Sequence, residues 1–224
     1  MRLLLKIKQK NEKRGSFTLD KEYLSLIKHV SENIVTKSKQ SLVIAEELRK
    51  LNIKLNKKNV TRWNSILFMI RSALKLSPDD FKKIRNEMPT RNAKEREVRD
   101  KFHLKSNERA MLEELKEILE AFEFITDELQ SNLVNISRVY PGITFLKEKL
   151  SINNSVYTTD LREALLASLT KRFEKLLDDD LIVFSTLLDP NFGLDYLETD
   201  KQDVVKARLL QKLKRQQLQN QVKK

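Results

Sequence analysis

Apolar residues recur every three or four positions along most of the chain, and this spacing predicts amphipathic helices. Three such stripes occur in the first part of the chain, each expected on the buried side of a helix. Asp20 is a predicted cap of the first helix and Thr61 of the third, because short polar side chains accept hydrogen bonds from free backbone amides. The stripe residues are Leu24, Ile27, Val30 and Ile34; Leu42, Ala45, Leu48 and Leu51; and Leu67, Ile70, Ala73 and Leu74.

The same spacing continues in the second half, where three longer stripes predict a packed helical bundle. The first of these helices begins at Ser106 or Asn107, the second lies around Pro141, and the third starts after Thr159. Their stripes are Leu112, Leu115, Leu119, Phe122, Ile125 and Leu129; Val139, Ile143, Leu146 and Leu150; and Leu161, Leu165, Leu169, Phe173 and Leu176. Residues 201–224 predict a basic amphipathic helix through Val204, Leu209 and Leu213.

Local signals place one further helix and leave three stretches with two interpretations each. Ser77, Pro78 and Asp80 supply a cap, a first-turn proline and a first-turn acid for a short helix that ends near Met88, before Pro89. The ambiguous stretches are NIKLNKKNV (52–60), a short strand or an extended connector; residues 89–107, a solvated helix or a linker; and LIVFSTLLDP (181–190), a buried strand or a buried helix.

Composition bounds the classes of site that the chain can hold. Its 224 residues with 40% hydrophobic content are enough to bury one or two cores. The absence of cysteine excludes disulfides, thiolate metal sites and cysteine nucleophiles, and it agrees with a reducing compartment. The two histidines, His29 and His103, are interpreted as ordinary surface or packed residues rather than metal ligands. The start of the chain, MRLLLKIKQKNEKRG, is not expected to be a signal peptide, and no run is long enough to span a bilayer.

The net charge of +12 is distributed unevenly. Residues 1–60 carry +9, residues 61–107 carry +6, residues 108–200 carry −10 and residues 201–224 carry +7. A polyanion such as DNA is therefore attracted to the first half and to the tail and repelled by the acidic block between them, because phosphate attraction scales with local positive charge.

Four short stretches, taken in order, resemble the hAT transposases and their domesticated relatives, the BED zinc-finger proteins. They are TRWNS (61–65), ILEAFEFITDELQ (118–130), NISRVYPGITFLKEKL (135–150) and LTKRFEKLLDDDLIVFSTLLDPNF (169–192). The family's last motif is LDPRFK, so Asn191 and Gly193 depart from it, as does Asn135 where threonine is usual. The resemblance implies a mainly α chain: a residual piece of an RNase H-like domain (1–107), a helical insertion bundle (108–200) and a basic C-terminal tail (201–224).

Transposases of this family cut DNA with two Mg²⁺ ions held by two Asp and one Glu. None of these three carboxylates has a match in this chain, so the resemblance implies a remnant or truncated gene product with no catalytic residues, metal or cofactor. Asp178, Asp179 and Asp180 are consecutive and point in different directions at a helix end, so we interpret them as a solvated terminus. Asp189 is interpreted as a turn or capping residue before Pro190.

The resemblance also supplies candidate nucleic-acid contacts. In active family members the Arg-Trp pair lies near the catalytic centre, so Trp63 would stack on an unpaired base and Arg62 would contact phosphate. The alternative is that Trp63 packs in the core against Ile66, Leu67 and Ile70. The other predicted DNA contacts are Lys57, Lys58, Lys212, Lys214 and Arg215, of which the last three could equally form a soluble, frayed helix end.

These interpretations lead to two functional expectations. The first is a non-catalytic, hAT-derived nuclear protein with weak, sequence-independent DNA association or an architectural role, possible partners being DNA, a second copy or a related transposase-derived protein. The second is a helical protein-interaction or dimerisation scaffold that touches no DNA, in which the acidic bundle binds basic partners. Neither expectation involves a membrane.

Overall fold

The structure, a computed structural model, describes residues 19–57, 64–130, 136–152, 155–197 and 199–222. These residues are mainly helical and include no β-strand, which confirms the predicted mainly α class. The α-helices are α1 (Leu19–His29), α2 (Lys37–Gln40), α3 (Leu42–Lys50), α4 (Asn64–Leu74), α5 (Pro78–Glu87), α6 (Ala93–Lys101), α7 (Ser106–Gln130), α8 (Val139–Ser151), α9 (Thr159–Leu177), α10 (Asp180–Leu188) and α11 (Thr199–Val222). A π-helical segment, Val30–Thr36, joins α1 to α2, and a 3-10 turn, Ile136–Arg138, precedes α8.

Two of the three ambiguous stretches are helical. Residues 181–188 form most of α10, with Ile182, Val183 and Phe184 buried, and the polar stretch after Pro89 contains α6. The described part of the third stretch, residues 52–57, is an irregular connector in which Leu55 is buried.

Helix starts follow the capping chemistry that the sequence contains. The Ser77 hydroxyl accepts a hydrogen bond from the Asp80 backbone N–H at 3.1 Å, while the Asp80 carboxylate accepts one from the Ser77 N–H at 2.9 Å. This reciprocal pair is a capping box, and it satisfies two amides that would otherwise lack a partner. Asn92 and Asp179 cap α6 and α10 in the simpler one-bond manner. Asp20, the predicted cap of the first helix, is the second residue of α1, which begins at Leu19. Thr61, the predicted cap of the third helix, lies outside the described residues.

Contacts divide the chain into two compact units. The N-terminal unit comprises Met1–Glu120 and Ser155–Leu161, and the C-terminal unit comprises Ala121–Asn154 and Arg162–Lys224. Two of the three divisions, those after Glu120 and Leu161, fall inside α7 and α9. The domain assignment made from the sequence, with boundaries after residues 107 and 200, stays a prediction.

The N-terminal unit has a closed apolar core. Val30, Ile34, Leu67 and Ile70 have no exposed surface, as their stripes predict. Phe102 is also fully buried, and its ring lies 5.5 Å from that of Phe81. The position of Phe102 in the most polar stretch of the chain hides this role, because charge content alone predicts a solvated surface there.

A carboxylate inside the N-terminal unit holds the start of α9. The Glu114 side chain accepts hydrogen bonds from the backbone N–H groups of Val156, Tyr157 and Thr158 at 2.9, 3.0 and 2.9 Å, and a fourth from the Thr158 hydroxyl. Burial by itself raises the pKa of Glu114, but these hydrogen bonds favour the charged form, and the net result is a lowered pKa. Glu114 therefore fixes residues 156–158 onto α7.

The core of the C-terminal unit forms around α10. This helix packs against the 3-10 turn, α8 and α11, and buries Val183 and Phe184 with Tyr140, Ile143, Leu197 and Val205. The Thr186 hydroxyl donates to the Ser137 carbonyl at 2.9 Å, so a polar group inside this core has a partner.

Some stripe residues are exposed where the pattern predicts burial. Leu24 and Leu42 are exposed, and Ile44 is the buried residue of α3 nearest to Leu42. In α11 Val204 is exposed, whereas its neighbour Val205 is buried. Leu24 and Leu42 are single exceptions, because Ile27, Val30, Ile34 and Leu48 of the same stripes are buried. In α11, Val204 and Val205 are equally apolar neighbours, and packing selects Val205.

Candidate functional sites

The predicted nucleic-acid contacts fall partly outside the described residues. Arg62, Trp63 and Lys58 all lie in the gap at 58–63, so the choice between a stacking and a core role for Trp63 stays open. Lys57 is exposed at the end of the connector after α3. It belongs to the N-terminal unit, whereas Lys212, Lys214 and Arg215 belong to the C-terminal unit.

The basic helix α11 is attached to the C-terminal unit through its first half. Val205 is buried, and the Arg208 guanidinium lies 2.7 Å from the Asp180 carboxylate, which Lys212 also approaches at 3.2 Å. Arg208 and Lys212 both lie over the ring of Phe184, at 5.6 and 5.3 Å from its centroid. Lys212 therefore has a local structural role, which reduces the charge that it offers to a ligand.

The second half of α11 is solvent-exposed. All residues from 211 to 219 are exposed, Lys214 and Arg215 among them, and neither of these two forms an ion pair with another described residue. Leu210, Leu213 and Leu218 are 57, 47 and 62% exposed. This segment therefore presents positive charge and apolar surface together.

The acidic residues of the C-terminal unit act as caps and ion-pair partners. Asp179 accepts from the Leu181 backbone N–H at 2.8 Å and so caps α10, and Asp180 pairs with α11. Within the described residues, no group of three His, Cys, Asp or Glu side chains is placed to hold a metal ion.

Asp189 organises the turn after α10. Its carboxylate accepts hydrogen bonds from the Ser137 hydroxyl at 2.6 Å and from both the backbone and the side-chain amide of Asn191 at 2.9 Å. The Ser137 hydroxyl, followed by the Asn191 N–H, lowers the pKa of Asp189 and keeps this carboxylate charged. Asp189 thus has the turn role interpreted from the sequence, and it positions the segment that contains Phe192.

The two histidines contact one another in the N-terminal unit. His29 Nε2 lies 2.9 Å from the His103 carbonyl oxygen, its Nδ1 lies 3.1 Å from the Asn33 amide, and the two rings meet edge to face at 6.4 Å. Both are half-buried. His29 and His103 are therefore packed side chains.

The C-terminal unit has an aromatic cleft, which the sequence analysis does not predict as a site. Its volume is about 200 Å³, and its walls are Phe124 from α7, Phe145 from α8, and Phe192 and Tyr196 from the segment after α10. The Phe124 and Phe145 rings lie 5.4 Å apart, and those of Phe192 and Tyr196 meet edge to face at 5.2 Å. Phe124, Phe145 and Phe192 lie in three of the short stretches quoted from the sequence, but no single stretch marks the cleft, because its walls come from three separate parts of the chain.

Gly142, Arg138 and Glu128 also line the cleft. Gly142 lines it, and a Cβ at this position would lie 3.4 Å from the Ile125 side chain, so glycine lets α8 approach α7 closely. At the edge, Arg138 donates a hydrogen bond to Glu128. Phe124 and Tyr196 remain 53 and 43% exposed, so the cleft is open to solvent and apolar.

No described helix is both long and apolar enough to cross a bilayer. Comparison with protein families, with curated proteins and with solved structures finds no match for the chain. Two surfaces of the C-terminal unit are open to a ligand: the exposed second half of α11 and the aromatic cleft.

Proposed function

We propose that the chain is a hAT transposase-derived protein that associates with DNA without reading its sequence and without cutting it. The observation that carries this proposal is the composition and exposure of α11. Five cations fall within residues 206–215. Lys206, Arg208 and Lys212 form ion pairs, whereas Lys214 and Arg215 lie in the exposed second half of the helix and form none with another described residue. Such a helix attracts phosphates through counterion release, a sequence-independent interaction that weakens as salt rises.

Two features of the sequence support association without base readout or cleavage. A BED zinc finger requires cysteine ligands, and the chain has no cysteine. The carboxylates that hold the two metal ions in the family have no match in the chain. In the acidic cluster, Asp179 caps α10 and Asp180 forms an ion pair with Arg208. The proposed activity is therefore backbone binding in the nucleus, with an architectural role.

Fluorescence anisotropy with labelled duplexes of two unrelated sequences tests this proposal. We expect similar affinities for the two duplexes, with the logarithm of the binding constant falling linearly as the logarithm of the salt concentration rises. Lys214→Ala with Arg215→Ala should weaken binding to both duplexes equally and lower the salt slope by about 1 for each cation removed.

A matched control is the pair Lys171→Ala and Arg172→Ala on α9. These two residues are also consecutive and exposed, but they lie in the acidic block. Equal losses of DNA affinity in both double variants would show that only net charge matters and would mean that α11 is not the DNA-binding surface. Cleavage of the duplexes with Mg²⁺ or Mn²⁺ present would contradict the non-catalytic assignment.

The alternative is a helical protein-interaction scaffold that does not bind DNA, and the aromatic cleft favours it. Open apolar surface of this kind is characteristic of protein-binding sites. The same titration separates the two functions, because the scaffold alone predicts no salt-dependent binding to either duplex.

A further inference from the structure

We propose that Asp180 competes with DNA phosphates for Arg208 and Lys212 of α11. The carboxylate and the two cations belong to the C-terminal unit and meet where α10 begins. By holding these cations, Asp180 masks part of the charge of α11 and keeps the affinity of the chain for DNA low. The inference rests on the proposed function, because it concerns the regulation of the same DNA-binding helix.

Two cations of α11 share one carboxylate. Asp180 Oδ1 lies 2.7 Å from Arg208 Nε, and the Lys212 ammonium donates a hydrogen bond to Asp180 Oδ2 at 3.2 Å. Both oxygens of the carboxylate are therefore occupied. Carboxylate and phosphate oxygens are the same class of charged acceptor for arginine and lysine. Asp180 thus presents to α11 the kind of group that the DNA backbone presents.

Arg208 and Lys212 lie on one side of α11 together with Arg215. At about 100° per residue, these three cations fall within an arc of roughly 60°. They form the basic face of α11. Arg215 is exposed and forms no ion pair with another described residue, whereas the other two cations of the basic face are paired with Asp180. A single acidic residue therefore occupies most of the face that suits a phosphate backbone.

The two ion pairs are accessible to a competing anion. The side chains of Arg208 and Asp180 are each 38% exposed, and that of Lys212 is 53% exposed. An exposed ion pair is weak and changes an equilibrium constant by a factor of about 1.5 to 5. A phosphate can therefore replace Asp180 while the helix stays folded, but breaking the two pairs lowers the net affinity for DNA.

The attachment of α11 to its unit does not depend on Asp180 alone. Val205 is buried, and the Gln202 side-chain amide donates hydrogen bonds to the carbonyl oxygens of Leu194 and Leu197, each at 3.2 Å. A substitution at Asp180 should therefore free the two cations and leave the helix docked.

The Asp180→Asn variant of the full chain tests the inference in the anisotropy titration with two unrelated duplexes. We expect it to bind both duplexes about 2- to 25-fold more tightly than the wild type at low salt, since two exposed ion pairs no longer have to be broken. The plot of the logarithm of the binding constant against the logarithm of the salt concentration should also become steeper, by up to about 2, because two more cations neutralise phosphates.

Asp178→Asn is the matched control. It removes the same charge two residues away, but the Asp178 side chain is exposed and forms no ion pair with another described residue. We expect a smaller gain in affinity than from Asp180→Asn, because salt screens the effect of a distant exposed charge. Circular dichroism should show that both variants keep the helical fold.

A double-mutant cycle is the decisive step. In a background that carries Arg208→Gln and Lys212→Gln, Asp180 has no cation of α11 to hold. Adding Asp180→Asn to this background should therefore increase the affinity for DNA no more than adding Asp178→Asn does. Glutamine keeps a long polar side chain at both positions, so α11 should stay docked.

Three results would overturn the inference. The first is an Asp180→Asn variant that binds DNA no more tightly than the wild type, which would leave the proposed function standing and give Asp180 only a role in docking α11. The second is an equal gain from Asp178→Asn, and the third is a gain that persists in the glutamine background. Binding by Asp180→Asn alone, without binding by the wild type, would support the inference, whereas no binding by either protein would contradict both the inference and the proposed function.

Discussion

The N-terminal and C-terminal units are both helical, but they differ in how completely they cover their apolar side chains. All of the largest fully buried side chains of the described residues, from Val30 to Thr158, lie in the N-terminal unit. Of the 14 large hydrophobic residues that are exposed within the described ranges, 10 lie in the C-terminal unit. The N-terminal unit thus buries its apolar residues in its own core, whereas the C-terminal unit leaves many of them available for a partner.

Because of this difference, we expect the buried residues of the N-terminal unit to stabilise the fold and the exposed residues of the C-terminal unit to contact a partner. A substitution inside the N-terminal core should lower the free energy of unfolding, whereas a substitution in the cleft or on α11 should change association and leave the fold intact.

Phe102→Ala should have the largest effect on stability. The ring is fully buried against Phe81, so its removal should lower the free energy of unfolding by about 3–5 kcal/mol through lost burial and a cavity. The matched change in the cleft, Phe124→Ala, should cost about 1 kcal/mol, because that ring is half exposed and loses mainly its contact with Phe145. Urea denaturation followed by circular dichroism measures both; equal costs would erase the distinction between the units.

Glu114→Ala should have an intermediate effect. It leaves three backbone N–H groups and the Thr158 hydroxyl without their acceptor, at a cost of about 2–3 kcal/mol. Glu163→Ala on α9 is the control, since its side chain is exposed and should change stability by less than about 0.5 kcal/mol. Denaturation of both variants at neutral pH checks the prediction, which fails if the two agree.

Lowering the pH should have a smaller effect on stability through the same carboxylate, Glu114. The folded pKa of Glu114 lies below its ordinary value of 4.5, so its contribution to stability is complete above pH 4.5 and is lost as the pH falls through the folded pKa. The difference in unfolding free energy between wild type and Glu114→Ala should therefore shrink in that window. A difference that stays constant on acidification would mean that Glu114 is not charged in the fold.

Much of the helical framework is predictable from the sequence. The capping box at Ser77 and Asp80, the buried stripe of α4 and the long helix α7 all follow from local patterns. Which face of a helix is buried is harder to predict. Val204 and Val205 are equally apolar, and only the packing of α11 against α10 buries Val205 rather than Val204.

The features that depend on distant residues are not predictable in this way. Glu114 and its amide partners are more than 40 positions apart, and the cleft joins aromatics from three separate stretches. Lys212 is a predicted nucleic-acid contact, but its proximity to Asp180 and Phe184 depends on the docking of α11. Lys214 and Arg215 are exposed, and their binding to DNA remains a prediction.

Hydrogen–deuterium exchange with and without duplex DNA shows whether α11 is the helix that contacts DNA. Residues 206–219 should exchange more slowly when DNA is added at low salt, with no change around Phe102, and this protection should be lost at high salt. Protection confined to residues 19–107, with α11 unchanged, would contradict the claim that the open surface of the C-terminal unit is where this protein meets DNA.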